Sequence, residues 1–237
     1  SHDLAVAWIA THFNEISAGY QLHLEFVGSM SGLQALAEGN CEIAGLHIQD
    51  PQTGAYNKPI VQAYFPNEPM VLVTLAQRRM GLITRNGNPL GIHSIEDFAR
   101  PEVRYVNRNP GSGTRIYLDS LLKAKGISAE AIHGYGVVKK THSEVAAEVG
   151  EDHADVGIGL EAAARLFDLD FQFLTLERYD LVMRQQTFAL PAIQALVEWL
   201  KGATYRQLLK RLGGYESELS GSVQITSPLN AEVPLLN

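Results

Sequence analysis

"LHLEFVGSMSGLQALA", residues 22–37, joins an extended apolar stretch to a glycine- and serine-rich turn and then to the first turns of an amphipathic helix. A strand that turns sharply into a helix is the repeating unit of α/β proteins, so the segment points to that class. Its turn, Gly28-Ser29-Met30-Ser31-Gly32, also fits G-x-S-x-G, the pattern that in α/β-hydrolases raises a nucleophilic serine above the sheet. The same turn can instead hold a ligand without reacting with it.

Outward from this unit the alternation continues. Strands are expected over 42–46, 70–75, 81–84, 103–106, 135–138, 154–158, 171–174 and 179–183. Helices are expected over 4–16, 31–38, 114–125, 143–149, 160–167, 191–200 and 204–212, with a further one capped by Ser94. Residues 50–69 form a Pro- and Asn-rich connection, and the tail from Gly213 reads as irregular. Alternation of this kind predicts mostly parallel sheet. At 237 residues the chain is long enough for two lobes. Apolar strands near 72–77 and 178–183 are the expected crossings, giving one lobe of 1–75 plus 180–237 and a second of 76–179, with a ligand cleft between them.

A net charge of −7 argues against a nucleic-acid surface and gives an anion no long-range attraction, so any anion site must work through local donors. The single cysteine, Cys41, cannot close an internal disulfide and reads as a structural thiol. No apolar run approaches the ~18 residues of a membrane span, and no secretory signal is read. The expected location is cytoplasmic, with the periplasm as the alternative.

A hydrolase serine at position 31 needs an acid and then a histidine near the end of the chain. The histidines stand at 2, 12, 23, 47, 93, 133, 142 and 153, and the last third has none. Ser31 is therefore read as a donor or cap. Four junctions rich in Gly, Ser and Thr remain, 28–32, 109–115, 139–144 and 157–161, with "SHD" at the start as a fifth. Such junctions lie at the carboxyl ends of strands and present free backbone N–H groups, which suits an anion. Arg115 could add a two-pronged guanidinium contact or simply pair on the surface. "GSGTR" (111–115) lacks the phosphate-loop lysine, and "GIGLEA" (157–162) copies a dinucleotide fingerprint only weakly. No metal-ligand spacing is present, and His142, at a helix start, could donate to a ligand or face solvent.

The stretches "GLHIQDPQTGAYN" (45–57) and "NRNPGSGTR" (107–115), with "SHDLA" (1–5), "GYGVVKKTHSEVAAEV" (134–149) and "ERYDLV" (177–182), carry a family resemblance over nearly the whole chain. The sequence resembles the periplasmic-binding-protein-like domain attached to helix-turn-helix regulators and molybdopterin-biosynthesis proteins, related to the molybdate- and tungstate-binding proteins of transporters. The resemblance implies a two-lobed type II fold, each lobe a mostly parallel sheet flanked by helices. It implies non-catalytic ligand binding by Ser1, Ser29 and Ser31 from the first lobe and by Ser112, Gly113, Thr114, Arg115, Thr141 and His142 from the second. Molybdate or tungstate would be the bound ligand, no other cofactor is expected, and an attached helix-turn-helix or molybdopterin-biosynthesis domain would be the partner. A natural start at Ser1, with a preceding strand lost, also follows from the "SHD" match.

Molybdate carries no proton at neutral pH, so its site should hold donors and no inward carboxylate. Hydrogen phosphate wants one acceptor. Asp50 or Glu161 pointing into the cleft would favour phosphate or an organic ligand. Sulfate, a nucleotide-like ligand and a hydrolase using Ser31 complete the alternatives.

Overall fold

The computed structural model describes residues 2–50 and 52–227. In chain order the elements are α1 (Leu4–Thr11), α2 (Phe13–Ile16), α3 (Ser29–Ala37), β1 (Ile43–Leu46), α4 (Lys58–Tyr64), β2 (Met70–Thr84), β3 (Tyr105–Arg108), α5 (Gly113–Lys125) and β4 (Val138–Lys139). There follow α6 (His142–Gly150), β5 (Val156–Leu160), α7 (Glu161–Leu166), β6 (Asp170–Arg184), α8 (Gln185–Phe188), α9 (Pro191–Lys201), α10 (Ala203–Leu212), β7 (Tyr215–Glu216) and β8 (Val223–Ile225).

The fold is mixed α/β, as the alternation predicts, but it is organised around two strands of 15 residues each. β2 and β6 pair antiparallel from Met70↔Arg184 to Thr84↔Asp170. Each merges two strands expected separately, 70–75 with 81–84 and 171–174 with 179–183. Gln77, Arg78 and Arg79 interrupt the apolar run without ending the strand, because Arg78 is buried there with both terminal nitrogens paired to Asp3 and Glu177.

The sheet runs β1-β6-β2-β5-β3-β4. Its parallel pairs, β5 with β3 and β3 with β4, lie at one end of the long strands. At the other end the pairs are antiparallel: β1 on β6, and β8 on β2. The parallel expectation thus describes only β5, β3 and β4 in the second half, where β5 itself joins β2 antiparallel, because both halves are built on the two long antiparallel strands. The expected strand over 22–27 is extended chain outside the ladder, and the helix over 4–16 breaks at His12 into α1 and α2. The tail, read as irregular, contributes β7 and β8 along the edge of β2.

Four apolar clusters divide along these strands. Val71, Val73, Leu75, Leu181 and Met183 face α1, α9 and α10 through Val6, Ile9, Leu196 and Leu208. Met70, Leu72 and Val182 pack under α3 and α4 with Leu33, Leu36 and Val61. Past the polar middle of β2, Met80 and Leu82 join Phe98, Leu118 and Ile158, while Ile83 joins Val106, Val145 and Ala163. Burial of this order is the main stabilising term for each half. Both halves therefore share β2 and β6, and the two strands cross between them.

Each side of that crossing carries a register shift, between Thr74 and Ala76 and between Met80 and Gly81. Such bulges bend a strand and raise its twist, which lets one pair of strands serve two differently oriented cores. At the second shift Gly81 lies against the backbone carbonyl of Gln172, where a β-carbon would collide. Gly81→Ala is expected to destabilise the fold by about 1–3 kcal/mol through overpacking against backbone that cannot step aside. A urea midpoint equal to that of the parent chain would contradict this account of the bend.

Candidate functional site

The residues that meet at the crossing come from five segments, and the sequence around each explains its place. Asp3 caps α1: its Oδ1 accepts from the Val6 N–H at 2.9 Å. Its other oxygen accepts from Arg78 Nη1 at 2.9 Å and from the Tyr215 hydroxyl at 3.0 Å. Arg78 stands opposite Glu177 in the β2–β6 ladder and donates to it through Nη2. Glu177 Oε2 lies 3.0 Å from His47 Nδ1, just beyond β1. Tyr179 completes the cage, with the Arg78 guanidinium 4.4 Å from its ring centroid and the His47 ring stacked on it.

This cage fixes charge states. Burial pushes the Glu177 carboxyl up, yet the adjoining Arg78 and His47 outweigh that and hold it down at about 2. Burial also lowers the His47 imidazole, with Glu177 opposing and Arg78 reinforcing the shift. Both carboxylates are thereby committed to Arg78.

Arg108 has no such arrangement. It ends β3, is 1% exposed, and takes part in no ion pair among the described residues. One nitrogen donates to the Lys140 carbonyl at 2.8 Å, while Nε and Nη1 are buried with no partner among the described residues. Burial and the like charge of Arg78 bring its guanidinium down to about 10, far below the usual arginine range but still protonated at neutral pH.

Around Arg108 other donors are left in the same condition. Ser29 Oγ, Thr114 Oγ1, His2 Nδ1 and both ring nitrogens of His142 are buried without a partner among the described residues. The His142 ring centroid lies 6.0 Å from that of His2 and 6.5 Å from that of His47. Burial, then Arg108 and Arg78, hold His142 well below the ordinary histidine range, and burial takes His2 to about 4 despite Asp3. Buried polar atoms are nearly always paired, so a cluster of unpaired donors facing one another is the mark of a ligand site.

The two halves touch across this cluster. Met30 N–H donates to the Gly111 carbonyl at 3.2 Å, joining the first turn of α3 to the loop before α5. Gly28, at φ 90°, takes a conformation open to glycine and lies against Asn109. Gly113 abuts the carbonyl and ring of His47 closely enough that no side chain would fit.

Of the residues expected from sequence, Ser29, Ser112, Gly113, Thr114 and His142 are all buried, and Ser29 and Gly113 lie on segments that touch across the two halves. Ser112 Oγ accepts from the Arg115 N–H at 3.2 Å, capping α5. Ser1 lies outside the described residues. Two expectations need correction, those for Ser31 and Arg115. Ser31 is exposed, because two helical residues past Ser29 turn it to the opposite side of α3. Arg115, one residue past Thr114, swings sideways to bond Asp119 at 2.9 and 3.1 Å and to stack on Tyr135. The Thr141 hydroxyl accepts from the Glu144 N–H at 3.0 Å in a capping box, as Ser112 does from Arg115, which leaves its own O–H to donate; the Glu144 carboxylate holds the N–H groups of Lys140 and Thr141.

Arg108, Arg78, Glu177, His47, His2 and Asp3 were not among the residues expected as ligands or supports. Arg108 carried a usable signal: an arginine closing a buried parallel strand sits where ligands bind. Asp50 and Glu161 stay away from the cluster. Asp50 closes its own turn, and Glu161 pairs with Arg79 and Arg165.

Comparisons with known proteins agree with this architecture. Residues 10–201 match the family described as the PBP superfamily domain. YvgK of Bacillus subtilis (strain 168) is 36% identical over 199 residues, 84% of this chain, and the chain spans 64% of that protein's length. Among solved structures, a phosphate ABC transporter substrate-binding protein of Clostridium perfringens with bound phosphate superposes with a TM-score of 0.65 at 12% identity, covering 89% of this chain and 93% of that one. An ABC-type phosphate transport receptor of Vibrio cholerae gives 0.55 at 17% identity, covering 89% and 94%. At such identities the likeness shows the fold.

Glu177 supplies the prediction from this geometry. Its carboxyl is lowered on folding from 4.5 to about 2, so its contribution is complete above pH 4.5 and is lost as the pH falls through 2. Glu177→Gln, which breaks a buried pair, is expected to cost about 3–5 kcal/mol at neutral pH. In urea unfolding the gap between parent and variant should narrow as the pH falls from neutral into the acid range. A gap that stays constant with pH would count against the cage.

Proposed function

This chain belongs to the PBP superfamily domain family, and we propose that it binds a small tetrahedral oxyanion, molybdate or tungstate foremost, without altering it chemically. The carrying observation is Arg108, a buried cation at the carboxyl end of a parallel strand with no carboxylate paired to it among the described residues. Thr114, Ser29 and His142 supply further buried donors beside it. The carboxylates nearest the cluster, Asp3 and Glu177, are both engaged by Arg78, so what faces inward donates. That donor set suits a fully ionised anion. Each charge-assisted bond contributes ~1.5–3 kcal/mol, and several together offset the desolvation of the ion.

In this reading residues 1–75 with 180–237 and residues 76–179 act as two lobes. β2 and β6 serve as the hinge, and the contacts Met30–Gly111 and His47–Gly113 form as the lobes close on the ion. The domain acts as a cytoplasmic sensor that passes closure to an attached effector, a helix-turn-helix or molybdopterin-biosynthesis domain. A relative that extends well past the matched region is in keeping with that arrangement. Phosphate is the second reading, favoured by the neutral His142 ring, which offers one acceptor nitrogen to a protonated anion.

Calorimetric titration with molybdate, tungstate, sulfate and phosphate tests the proposal, and saturable binding of molybdate or tungstate is expected. Arg108→Met should weaken that binding by about 10- to 150-fold, the loss of one or more charge-assisted bonds. The same variant should leave the ligand-free fold equally or more stable, since it removes an uncompensated buried charge. Failure of all four anions to bind the folded chain would sink the reading.

A further inference from the structure

The His142 ring has an arrangement that a set of plain anion donors does not explain. It opens α6, it is fully buried, and both of its nitrogens lack a partner among the described residues. The charged and titratable groups that act on it come from four neighbouring segments, while on α7, also packed against α6, Glu161 is paired with Arg79 and Arg165. Arg108 approaches from β3, Arg78 from β2, His2 from the segment before α1 and His47 from beyond β1, while Gly159 of β5 packs at its back. On its own helix Glu144 is turned to the backbone of residues 140 and 141. Glu148 pairs with Lys139 of β4, and Glu177 of β6 is held by Arg78 and His47.

We propose that His142 takes up a proton as the anion enters, so that the domain binds a fully deprotonated tetrahedral dianion together with one proton. The inference rests on the oxyanion reading above and names the form in which the ligand is held.

Two arguments lead to it. The first is hydrogen-bond valence. A neutral imidazole has one donor and one acceptor, and a dianion offers only acceptors, so one buried nitrogen would stay unpaired. An imidazolium donates from both nitrogens and leaves neither orphaned. The second is charge. Arg78 with Asp3 and Glu177 carries one negative charge in excess, which the unpaired Arg108 offsets only in the sum over the cluster, so a dianion would leave two negative charges in excess in a buried space. One proton on His142 halves that excess. Without the anion the balance reverses: burial and the two guanidiniums keep the ring neutral. Hydrogen phosphate differs, since it carries a proton that it can donate to the neutral nitrogen, and it needs none from solvent.

The test is the proton stoichiometry of binding. Molybdate titrations of the whole chain in buffers of different ionisation enthalpy, from about pH 6.5 to 8.5, should show uptake of about one proton and a Kd that weakens roughly tenfold per pH unit once the free ring is neutral. Nitrogen-15 spectra should move the His142 ring from the neutral to the imidazolium pattern on adding molybdate. His142→Gln keeps a side-chain donor but cannot take a proton, and it should bind molybdate with a flat pH profile. His2→Gln should retain the slope. Molybdate binding with no proton uptake, or a slope that survives in His142→Gln, would overturn the proposal while leaving the oxyanion reading intact. Absence of molybdate binding at every pH would remove both.

Discussion

The Arg78 guanidinium, buried where the two long strands cross, is the interaction on which the rest of the structure depends. A lone cation in that position would be costly by many kcal/mol, and it is tolerated because Asp3, Glu177 and the face of Tyr179 surround it. Those partners come from the N-terminal segment and from β6, so a single side chain ties the start of the chain to both crossing strands. Tyr215 binds the same Asp3 oxygen and draws in the C-terminal edge strand.

The cage also decides what is left over. By occupying the carboxylates of Asp3 and Glu177, Arg78 leaves Arg108 with no paired carboxylate among the described residues, where the hydroxyls of Ser29 and Thr114 also have no partner. On the proposed reading, the ligand-free domain holds a cost that a bound anion would relieve. Function and stability pull against each other at these positions, as they do at many binding sites. A chain of net charge −7 can still attract an anion at this point, because low dielectric and oriented donors act over a few ångströms where the overall charge does not.

Much of the fold was legible in the residues. Glycine- and hydroxyl-rich turns after apolar strands located the loops that meet across the crossing, and helical periodicity located α5, α6, α9 and α10 within a residue or two. The continuity of β2 and β6 was hidden, because Gln77-Arg78-Arg79 and Glu177-Arg178 look like solvent-facing breaks until their partners are known. Only tertiary pairing makes a buried arginine compatible with a strand. The donors were misread where a helix turns quickly. Ser31 stands two residues past Ser29 and Arg115 one past Thr114, and 100° of rotation per residue carries both side chains away. Thr141 and Ser112 illustrate a different ambiguity, since a hydroxyl at a helix start serves the backbone as readily as a ligand. Arg108 was passed over because Arg115 sits in the more familiar loop position.

Anomalous X-ray diffraction from crystals grown with tungstate tests the central claim most directly, because the heavy atom locates itself. The account predicts one dominant peak within hydrogen-bonding reach of Arg108, Thr114 and His142, between the two halves of the molecule. A separate open groove is lined by Arg79, Glu161, Arg165 and Phe171, and a dominant peak there, with none near Arg108, would contradict this account.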